Sequence, residues 1–463
     1  MKTLLSISAL LFTIMFMQMG TTALGPLDTL SAIEIGFSNT EIGVIGGAHF
    51  LGFLLGCLFS PLLVKRVGHA RAYCVTAALS IIAILLHPIL PYFWAWCLFR
   101  VMTGMAIATS YTSVESWLNA KLTNKNRARY YGVYRIIDMT GALMAQAMIS
   151  FLIPTYFLSY SLLAILICLS LMPLGLTKTV QPAMPETQKI DVLFAFRISP
   201  LAALGVLVVG ATGSALRMIG PLFAYELNFT PTQIAIFLSL PLIAGMLIQL
   251  PIGYLAERAT PRQLIGALSG ITILISAGFT LIEMDEVFGI KTIFILVFIF
   301  GLTTMPLYSL SAIHANNQTD EQDMTTLSAS LIFLFGIGAI ISPVIASYII
   351  EHFGPLSMFT YFAAMHLLLL SYTAYRALTR PLDVRIIFDG NPCLGIGHPL
   401  KVLTKDNKII GQITSGIYSP RIKKNVGLSM ILKDYWEIGE NVFVQNLDGS
   451  KRNGSITSLP FPD

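Results

Sequence analysis

Between Met1 and about Leu378 the chain is a succession of apolar stretches of helical length separated by short polar breaks, near 4–27, 40–64, 71–90, 93–118, 129–153, 155–176, 200–224, 231–256, 262–283, 291–315, 324–350 and 355–377. A bilayer core takes roughly 20 apolar residues per helical crossing. Lipid offers no hydrogen bonds to the backbone, so segments of this kind cross it as helices. Twelve crossings are therefore predicted. Composition agrees, with 55% hydrophobic and 11% charged residues, where soluble domains carry about 25% charged residues. A soluble enzyme is excluded for this part of the chain. Lys2 before an apolar run and Thr21-Thr22-Ala23 would also suit a secretory signal peptide. However, Leu4 to Met19 is long for the apolar core of such a peptide, and removing it would leave eleven spans.

From Leu382 to Asp463 the sequence is polar and holds no segment long enough to cross. The shift at Arg380-Pro381 marks a domain boundary. The net charge of +5 is small and shows no basic cluster on one face, so nucleic acid is not an expected partner. Cys57, Cys74, Cys97, Cys168 and Cys393 stand singly, which implies neither a disulfide framework nor a metal site. No nucleotide-binding P-loop motif occurs, and no cofactor is implied.

Basic residues orient the spans. Lys65, Arg66 and Arg71 are predicted between spans two and three; Lys121, Lys125, Arg127 and Arg129 between four and five; and Lys178, Lys189 and Arg197 between six and seven. Arg258 and Arg262 follow span eight, and Arg376 and Arg380 follow span twelve. The alternate connections are assigned Asp28, Glu34, Glu41, Glu226, Glu283, Asp285, Glu286 and Glu351, with Lys291 their only lysine or arginine. The positive-inside rule then puts both termini and the tail in the cytoplasm of a protein of the inner membrane.

An internal repeat runs through the apolar part. Phe37-Ser38-Asn39-Thr40-Glu41-Ile42 recurs 192 residues later as Phe229-Thr230-Pro231-Thr232-Gln233-Ile234, and Arg66 recurs as Arg258. Gly25-Pro26-Leu27 recurs as Gly220-Pro221-Leu222, while Gly104, Tyr111, Asn119 and Gly141 recur 197 residues later as Gly301, Tyr308, Asn316 and Gly338. Two six-span halves in the same orientation follow, 1–176 and 200–380, joined by a cytoplasmic linker at 177–199. Parallel halves with a midplane solute site between them describe one large class of transporter.

The residues after span eight, Gly253-Tyr254-Leu255-Ala256-Glu257-Arg258, resemble the loop motif G-x-L-A-D-R-x-G-R-R of the major facilitator superfamily, with Glu257 in place of the aspartate. In the first-half copy Arg66 and Gly68 match, whereas Lys65 stands at the acidic position. Arg100-x-x-x-Gly104-x-x-x-Ala108 resembles the superfamily's second motif. Glu115-Ser116-Trp117-Leu118-Asn119-Ala120 after span four, with His69-Ala70-Arg71 and His314-Ala315-Asn316, is similar to a poorly characterised bacterial subgroup. The resemblance implies an all-α membrane protein of twelve helices in two six-helix halves, moving solutes by alternating access, with Gly253, Glu257, Arg258, Arg66 and Gly68 in gating loops.

Charges inside spans carry the functional expectation, because a charge at the bilayer centre costs roughly 2.5–3.5 kcal/mol on the lenient scale. Arg100, Arg135, Asp138 and Arg217 are such residues, and at their repeat positions stand Val297, Ile332, Phe335 and Thr22. Charges needed only to build a half would recur in both halves, so these point to substrate or proton work in the bundle interior. Arg100 lies seven residues into span four and Arg217 seventeen into span seven, so both reach the outer half. Arg217 and Arg100 each suit a substrate carboxylate, which the guanidinium fork matches bidentately; the resemblance also associates Arg100 with proton coupling. Arg135 and Asp138 lie one turn apart at a level that Glu115 approaches, so Glu115 is expected to pair with Arg135. Asp138 is then the single carboxylate expected deep enough for a proton. Gln146, Gln249 and Tyr308 are read as interhelical hydrogen bonders, Trp94 and Trp96 as interfacial anchors, and Gly336, Gly338 and Pro343 as close-packing positions.

Residues 381–463 alternate apolar and polar residues around Asp406-Asn407 and Asp448-Gly449, a hairpin pattern that predicts a small antiparallel β-barrel or sandwich. Gly411-Gln412-Ile413-Thr414-Ser415-Gly416, Tyr418-Ser419-Pro420, Lys424-Asn425-Val426-Gly427-Leu428, Gly439 and Leu459-Pro460-Phe461 resemble the C-terminal barrel of the glycine cleavage T-protein (aminomethyltransferase) family. In that family the catalytic acid lies in a folate-binding body absent from this sequence, so aminomethyl transfer, and enzymatic activity generally, is not expected. The tail is read as a fusion remnant, a module for a cytoplasmic partner, or a pointer to one-carbon metabolites as cargo.

The expected function is secondary active transport of a small organic solute, proton-coupled, with a carboxylate or a methylated-glycine zwitterion as candidate solutes. Multidrug-type efflux and a transporter-like sensor signalling through the tail are the alternatives.

Overall fold

The computed structural model describes residues 2–122, 127–175, 190–280, 288–379, 382–393, 399–435, 437–446 and 448–457. It divides into two compact units, Met1–Ser371 and Tyr372–Asp463. The first is built of helices α1 (Lys2–Ile35), α2 (Asn39–Val67), α3 (His69–Leu86), α4 (Phe93–Lys121), α5 (Arg127–Met148), α6 (Phe157–Gly175), α7 (Val192–Ile198), α8 (Pro200–Glu226), α9 (Pro231–Arg258), α10 (Pro261–Thr280), α11 (Phe288–Thr304), α12 (Leu307–Asn316), α13 (Met324–Phe353) and α14 (Ser357–Thr379), the last of which crosses the division.

Among the described residues, eight stretches of helix are long and apolar enough to cross a membrane, with Gly289–Asn316 counted as one of them. α4, α5 and α14 are outside that set, as is the shorter apolar stretch Phe157–Pro173. α4 and α5 contain Arg100, Glu115, Arg135 and Asp138, which lower their hydropathy. Their polar residues are the ones that make the interior interesting.

The repeated sequence signals turn out to be helix starts. Ser38 and Glu41 form a capping box at α2, with Ser38 N–H donating to Glu41 Oε2 at 2.8 Å and Glu41 N–H to Ser38 Oγ at 3.3 Å. Thr230 and Gln233 repeat it at α9, where Thr230 N–H donates to Gln233 Oε1 at 2.8 Å. Such a box satisfies two of the backbone donors that a helix start leaves without partners. Between α2 and α3 the connection is Gly68 alone, at φ +83°, a left-handed value that favours glycine.

Two expectations about connections are corrected here. Asp28 and Glu34 are not in a loop, because α1 continues through Pro26 to Ile35. Lys65 and Arg66 occupy the last turn of α2, and Arg71 the first turn of α3. The span expected at 291–315 is found as the single stretch Gly289–Asn316, with its helix ladder interrupted at Met305-Pro306, where the proline ring removes an N–H. Lys125, Lys178, Lys189, Glu283, Asp285 and Glu286 lie outside the described residues.

α2 packs on α4, α1 on α5 and α6, and α8 on α13. α2 also packs on α13, α5 on α9 and α1 on α8, so the first six helices meet the later ones along several elements. Close approach at these contacts needs glycine: a Cβ on Gly338 would sit 2.3 Å from Leu207 O, and one on Gly47 would sit 2.5 Å from Ile340 O. One buried cluster runs from Leu10 to Phe362, and a smaller one joins α7 to α8, α12 and α13 through Ala195, Val206, Ala315 and Leu331.

The second unit contains a closed antiparallel barrel of β1 (Leu382–Phe388), β2 (Leu400–Leu403), β3 (Ile409–Ser419), β4 (Lys424–Ile431), β5 (Asn441–Gln445) and β6 (Lys451–Thr457), in the order β1-β4-β3-β2-β5-β6. β1 pairs with both β4 and β6, which leaves no open sheet edge. Ile386, Phe388, Val402, Ile413, Ile431 and Val444 fill its core. Asn407 and Gly449, with positive φ, turn the β2–β3 and β5–β6 hairpins. The Ser450 hydroxyl and then its N–H donate to the Asp448 carboxylate and hold it below the usual aspartate range.

Candidate functional site

Two cavities meet at Arg217 on α8. The larger, about 320 Å³, is lined by Val209, Leu216, Leu238, Leu242, Met305 and Tyr308, among others. The smaller, about 210 Å³, is lined chiefly by α1, α2 and α4, with Gln18, Thr21, Thr22, His49 and Tyr111 prominent. Phe50, Phe335 and Arg217 line both. The break at Met305-Pro306 borders the larger cavity, so the interrupted helix ladder lies where a cavity is present. Gln146, 4% exposed, also lines it, and Tyr308 does so with its ring 5.8 Å from that of Phe335. These two residues, expected only to hydrogen-bond between helices, therefore face the cavity. Gln249, the third of that group, is exposed on α9.

Arg217 is exposed into this space, and among the described residues neither an ion pair nor a hydrogen bond is formed by its side chain. The other interior arginine is differently placed. Arg100, 1% exposed, has Nη1 3.5 Å from Asp28 Oδ2, and borders a void of about 10 Å³ beside Gly25, Thr29 and Met218. It lines neither of the two larger cavities, so the geometry does not offer it as a direct substrate contact.

Asp28 is the interior acid that the sequence reading misplaced in a loop. It is 2% exposed, against 7% for Asp138, so Asp138 is not the single deeply placed carboxylate. His87 Nε2 lies 3.3 Å from the same Asp28 Oδ2, while His87 Nδ1 lies 2.7 Å from Ala83 O. A carbonyl only accepts, so the Nδ1 proton is committed to Ala83. Nε2 and the Asp28 carboxylate oxygens make no hydrogen bond among the described residues, so their 3.3 Å contact is one of proximity between two ionisable groups. Tyr160 stacks on His87 with centroids 5.8 Å apart at 14°, and the Trp96 indole N–H donates to His87 O at 3.0 Å. Trp96 is fully buried, not an interfacial anchor; Trp94 is 78% exposed. The signal for Asp28 was available in the sequence: it follows Gly25-Pro26-Leu27, whose repeat copy continues uninterrupted into the apolar residues Phe223 and Ala224.

Arg135, Asp138 and Glu115 form a separate network. Arg135 Nη2 lies 3.9 Å from Glu115 Oε1 and its Nη1 lies 3.7 Å from Asp138 Oδ2. Tyr111 donates to Asp138 at 2.9 Å and Tyr134 to Glu115 at 3.3 Å. Arg135 was expected to face a closed interior, yet its side chain is 60% exposed. Tyr111 connects this network to the smaller cavity, because its ring lines that cavity while its hydroxyl holds Asp138.

Residues 10–329 and, overlapping them, 202–389 match the family model of the Major Facilitator Superfamily. The chain belongs to the major facilitator superfamily. An uncharacterized MFS-type transporter of Enterobacter sp. (strain 638) is 23% identical over 370 residues, 79% of this chain and 94% of that protein. The uncharacterized MFS-type transporter YcaD of Salmonella newport (strain SL254) is 21% identical over 74% of this chain and 90% of its own length. Among solved structures, the nucleoside transporter NupG superposes with a TM-score of 0.68 at 15% identity, over 81% of this chain and 99% of that one. A D-xylose-proton symporter gives 0.62 at 12%, over 80% and 96%. These likenesses concern the fold. Residues 384–463 match the glycine cleavage T-protein C-terminal barrel domain. The protein is thus a multi-pass membrane protein of a transporter superfamily with a T-protein-type barrel behind it.

Within this superfamily chain the loop residues are placed as follows. Arg258 lies over the Tyr254 ring at 4.2 Å, and a Cβ on Gly253 would meet nothing within 4 Å. Arg66 is exposed at the end of α2, next to the Gly68 turn. The Glu257 side chain lies outside the described residues. At the opposite end of α2, Thr40 N–H and its hydroxyl donate to Glu351 at 2.9 and 2.6 Å, and Asn39 Nδ2 donates to Glu226 at 3.3 Å. Glu351 and Glu226 stand at the ends of α13 and α8, so these bonds tie the start of α2 to two later helices.

Proposed function

We propose that the protein is a twelve-span, proton-coupled secondary transporter of the cytoplasmic membrane, carrying a small organic anion by rocking residues 1–176 against residues 200–380. Its termini and its barrel lie in the cytoplasm, and residues 177–199 link the halves. The observation that carries this reading is Arg217, a cation without a partner among the described residues, at the junction of two interior cavities. An arginine in such a place marks a path or a site for an anion. The Thr40–Glu351 and Asn39–Glu226 bonds then belong to the closed outer gate.

Proton coupling rests on the Asp28, His87 and Arg100 cluster. With a proton between His87 and Asp28, the carboxylate is neutralised and its hold on Arg100 weakens; without it, the Asp28–Arg100 pair tightens. A two-state contact of this kind in α1 and α4 can bias the rocking of the halves. The barrel lacks a folate-binding body, so the chain is read as a carrier and not as an enzyme. The barrel is available to a cytoplasmic partner.

A methylated-glycine zwitterion fits less well than a simple carboxylate, because no aspartate or glutamate among the described residues lines either cavity to receive its ammonium. Export of amphiphiles is favoured as a second reading by the apolar lining of the larger cavity. The test is uptake and counterflow of radiolabelled organic acids, amines and sarcosine in proteoliposomes with an imposed pH gradient. Asp28→Asn is expected to abolish gradient-driven accumulation while leaving counterflow in place. Accumulation undiminished in that variant would overturn the coupling assignment.

A further inference from the structure

Resting on the transport reading above, we propose that the ligand is an amphipathic monocarboxylate whose acid group sits on Arg217 and whose apolar or aromatic body fills the larger cavity. The argument starts from charge. Among the described residues, Arg217 is the one formally charged side chain on the walls of either cavity. One cation with no lining carboxylate selects one negative charge and gives an ammonium no counter-ion. That excludes cations by repulsion and leaves zwitterions half paired.

Size and surface supply the rest. Ligand sites usually enclose about 300–1,000 Å³, and the larger cavity, at about 320 Å³, is at the lower end. A bare acid such as acetate would leave most of it empty. Beyond Arg217 its wall is mostly apolar, with Val209, Leu216, Leu238, Leu242 and Met305; the Thr212, Ser214 and Thr304 hydroxyls donate to carbonyls of their own helices, which leaves Gln146 and Tyr308 as its polar contacts. Methionine and leucine walls suit a methylene chain or a ring. Phe50 and Phe335, which line both cavities, stand at the junction with Arg217. The smaller cavity carries Gln18, Thr21, Thr22, His49 and Tyr111. The Thr21, Thr22 and Tyr111 hydroxyls already donate to Met17 O, Gln18 Oε1 and Asp138. The Gln18 amide N–H and the His49 ring, whose Nδ1 is buried without a partner among the described residues, are therefore the groups that can donate to the carboxylate oxygen facing away from Arg217. The polar end of the ligand then points toward α1, α2 and α4 and the apolar end toward α8, α9 and the α11–α12 break. The polarity of the two compartments orients the molecule.

Tyr111 gives this orientation a consequence. A carboxylate seated on Arg217 adjoins the cavity into which Tyr111 projects, and the Tyr111 hydroxyl is committed to Asp138. Filling the smaller cavity therefore places the anion beside the Tyr111, Asp138 and Arg135 network and not beside Asp28.

The test is calorimetric titration of the purified full-length protein with 3-phenylpropanoate, 3-phenylpropanamide, 3-phenylpropylamine, propanoate and sarcosine. 3-Phenylpropanoate is expected to bind at least about tenfold tighter than any of the other four, where tenfold corresponds to 1.4 kcal/mol. In Arg217→Gln the acid and the amide are expected to converge, while Arg217→Lys keeps part of the preference. Leu242→Trp, which fills the larger cavity, is expected to weaken 3-phenylpropanoate about tenfold and leave propanoate unchanged. The proposal is overturned if the amide, the amine or sarcosine binds as tightly as the acid, if no probe binds at millimolar concentration, or if Arg217→Gln keeps the full acid preference. Calorimetry reads occupancy without flux. Acid-selective binding in a protein that moves no solute in liposomes overturns the transport reading alone, and flux of an amine without acid binding overturns the ligand class alone.

Discussion

The two copies of the internal repeat fill one position with opposite chemistry. At the repeat offsets of 195 and 192, Asp28 and His87 correspond to Phe223 and Phe279. Tyr160, near the start of α6, has its counterpart in Phe359, near the start of α14. In the first copy His87 stacks on Tyr160 at 5.8 Å and 14°; in the second Phe279 stacks on Phe359 at 3.5 Å and 4°, with Phe223 edge-on to the latter at 5.3 Å. The same stacked pair is thus built twice, once with groups that hold a proton and once with groups that cannot. The aromatic version shows that the place can be filled by packing alone. A buried ion pair is seldom more stabilising than apolar residues of the same shape, and this contrast is what supports the proton-coupling role proposed for the polar copy.

This comparison can be broken by mutation. The largest expected effect is from Arg100→Leu, which leaves the Asp28 carboxylate buried beside one histidine; removing one partner of a buried pair costs about 3–5 kcal/mol. Thermal denaturation of the purified protein checks it, and adding Asp28→Leu to the variant is expected to recover most of the loss. A full-size loss that persists in the double variant would mean that packing, not charge, is what Arg100 supplies. Phe359→Leu is next, expected to cost about 1–3 kcal/mol as an ordinary core change. The pH dependence of its transport should match that of the unmodified protein, and a shifted pH profile would give the second copy a share in coupling. The smallest effect is expected from deleting residues 382–463. The barrel has its own closed sheet and core, so solute flux in liposomes should stay within experimental scatter of the full chain, whereas a sensor that signals through the tail would lose its output.

Much of the fold was legible because it depends on local pattern. Lipid forces each crossing to satisfy its own backbone, so apolar length and periodicity report helices directly, and the capping boxes at Ser38 and Thr230 mark two helix starts. Turn pairs around Asn407 and Gly449 likewise reported the hairpins of the tail, although closure of that sheet depends on β1 pairing with both β4 and β6. Arg217, Arg100, Arg135 and Asp138 stood out because charge in an apolar span is costly. Asp28 did not, since an acid close to a glycine-proline pair reads as the start of a loop, and only the packing of α1 carries it into the interior. His87 was silent for a similar reason: it lies at the end of α3, and nothing nearby in the chain indicates that α1, α4 and α6 converge on it.

The sequence by itself determined that this is a chain of membrane helices followed by a small β-domain, because burial in lipid and hairpin formation are read residue by residue. Only the tertiary structure decided which of the interior charges is free. Arg100 and Arg217 look alike in sequence, each a lone arginine in an apolar helix. One is paired with an aspartate brought to it from another helix, and the other opens onto two cavities. The partner that makes the difference, Asp28, stands more than seventy positions from Arg100 in the chain, and a long-range pairing of that kind leaves no local trace beside the arginine.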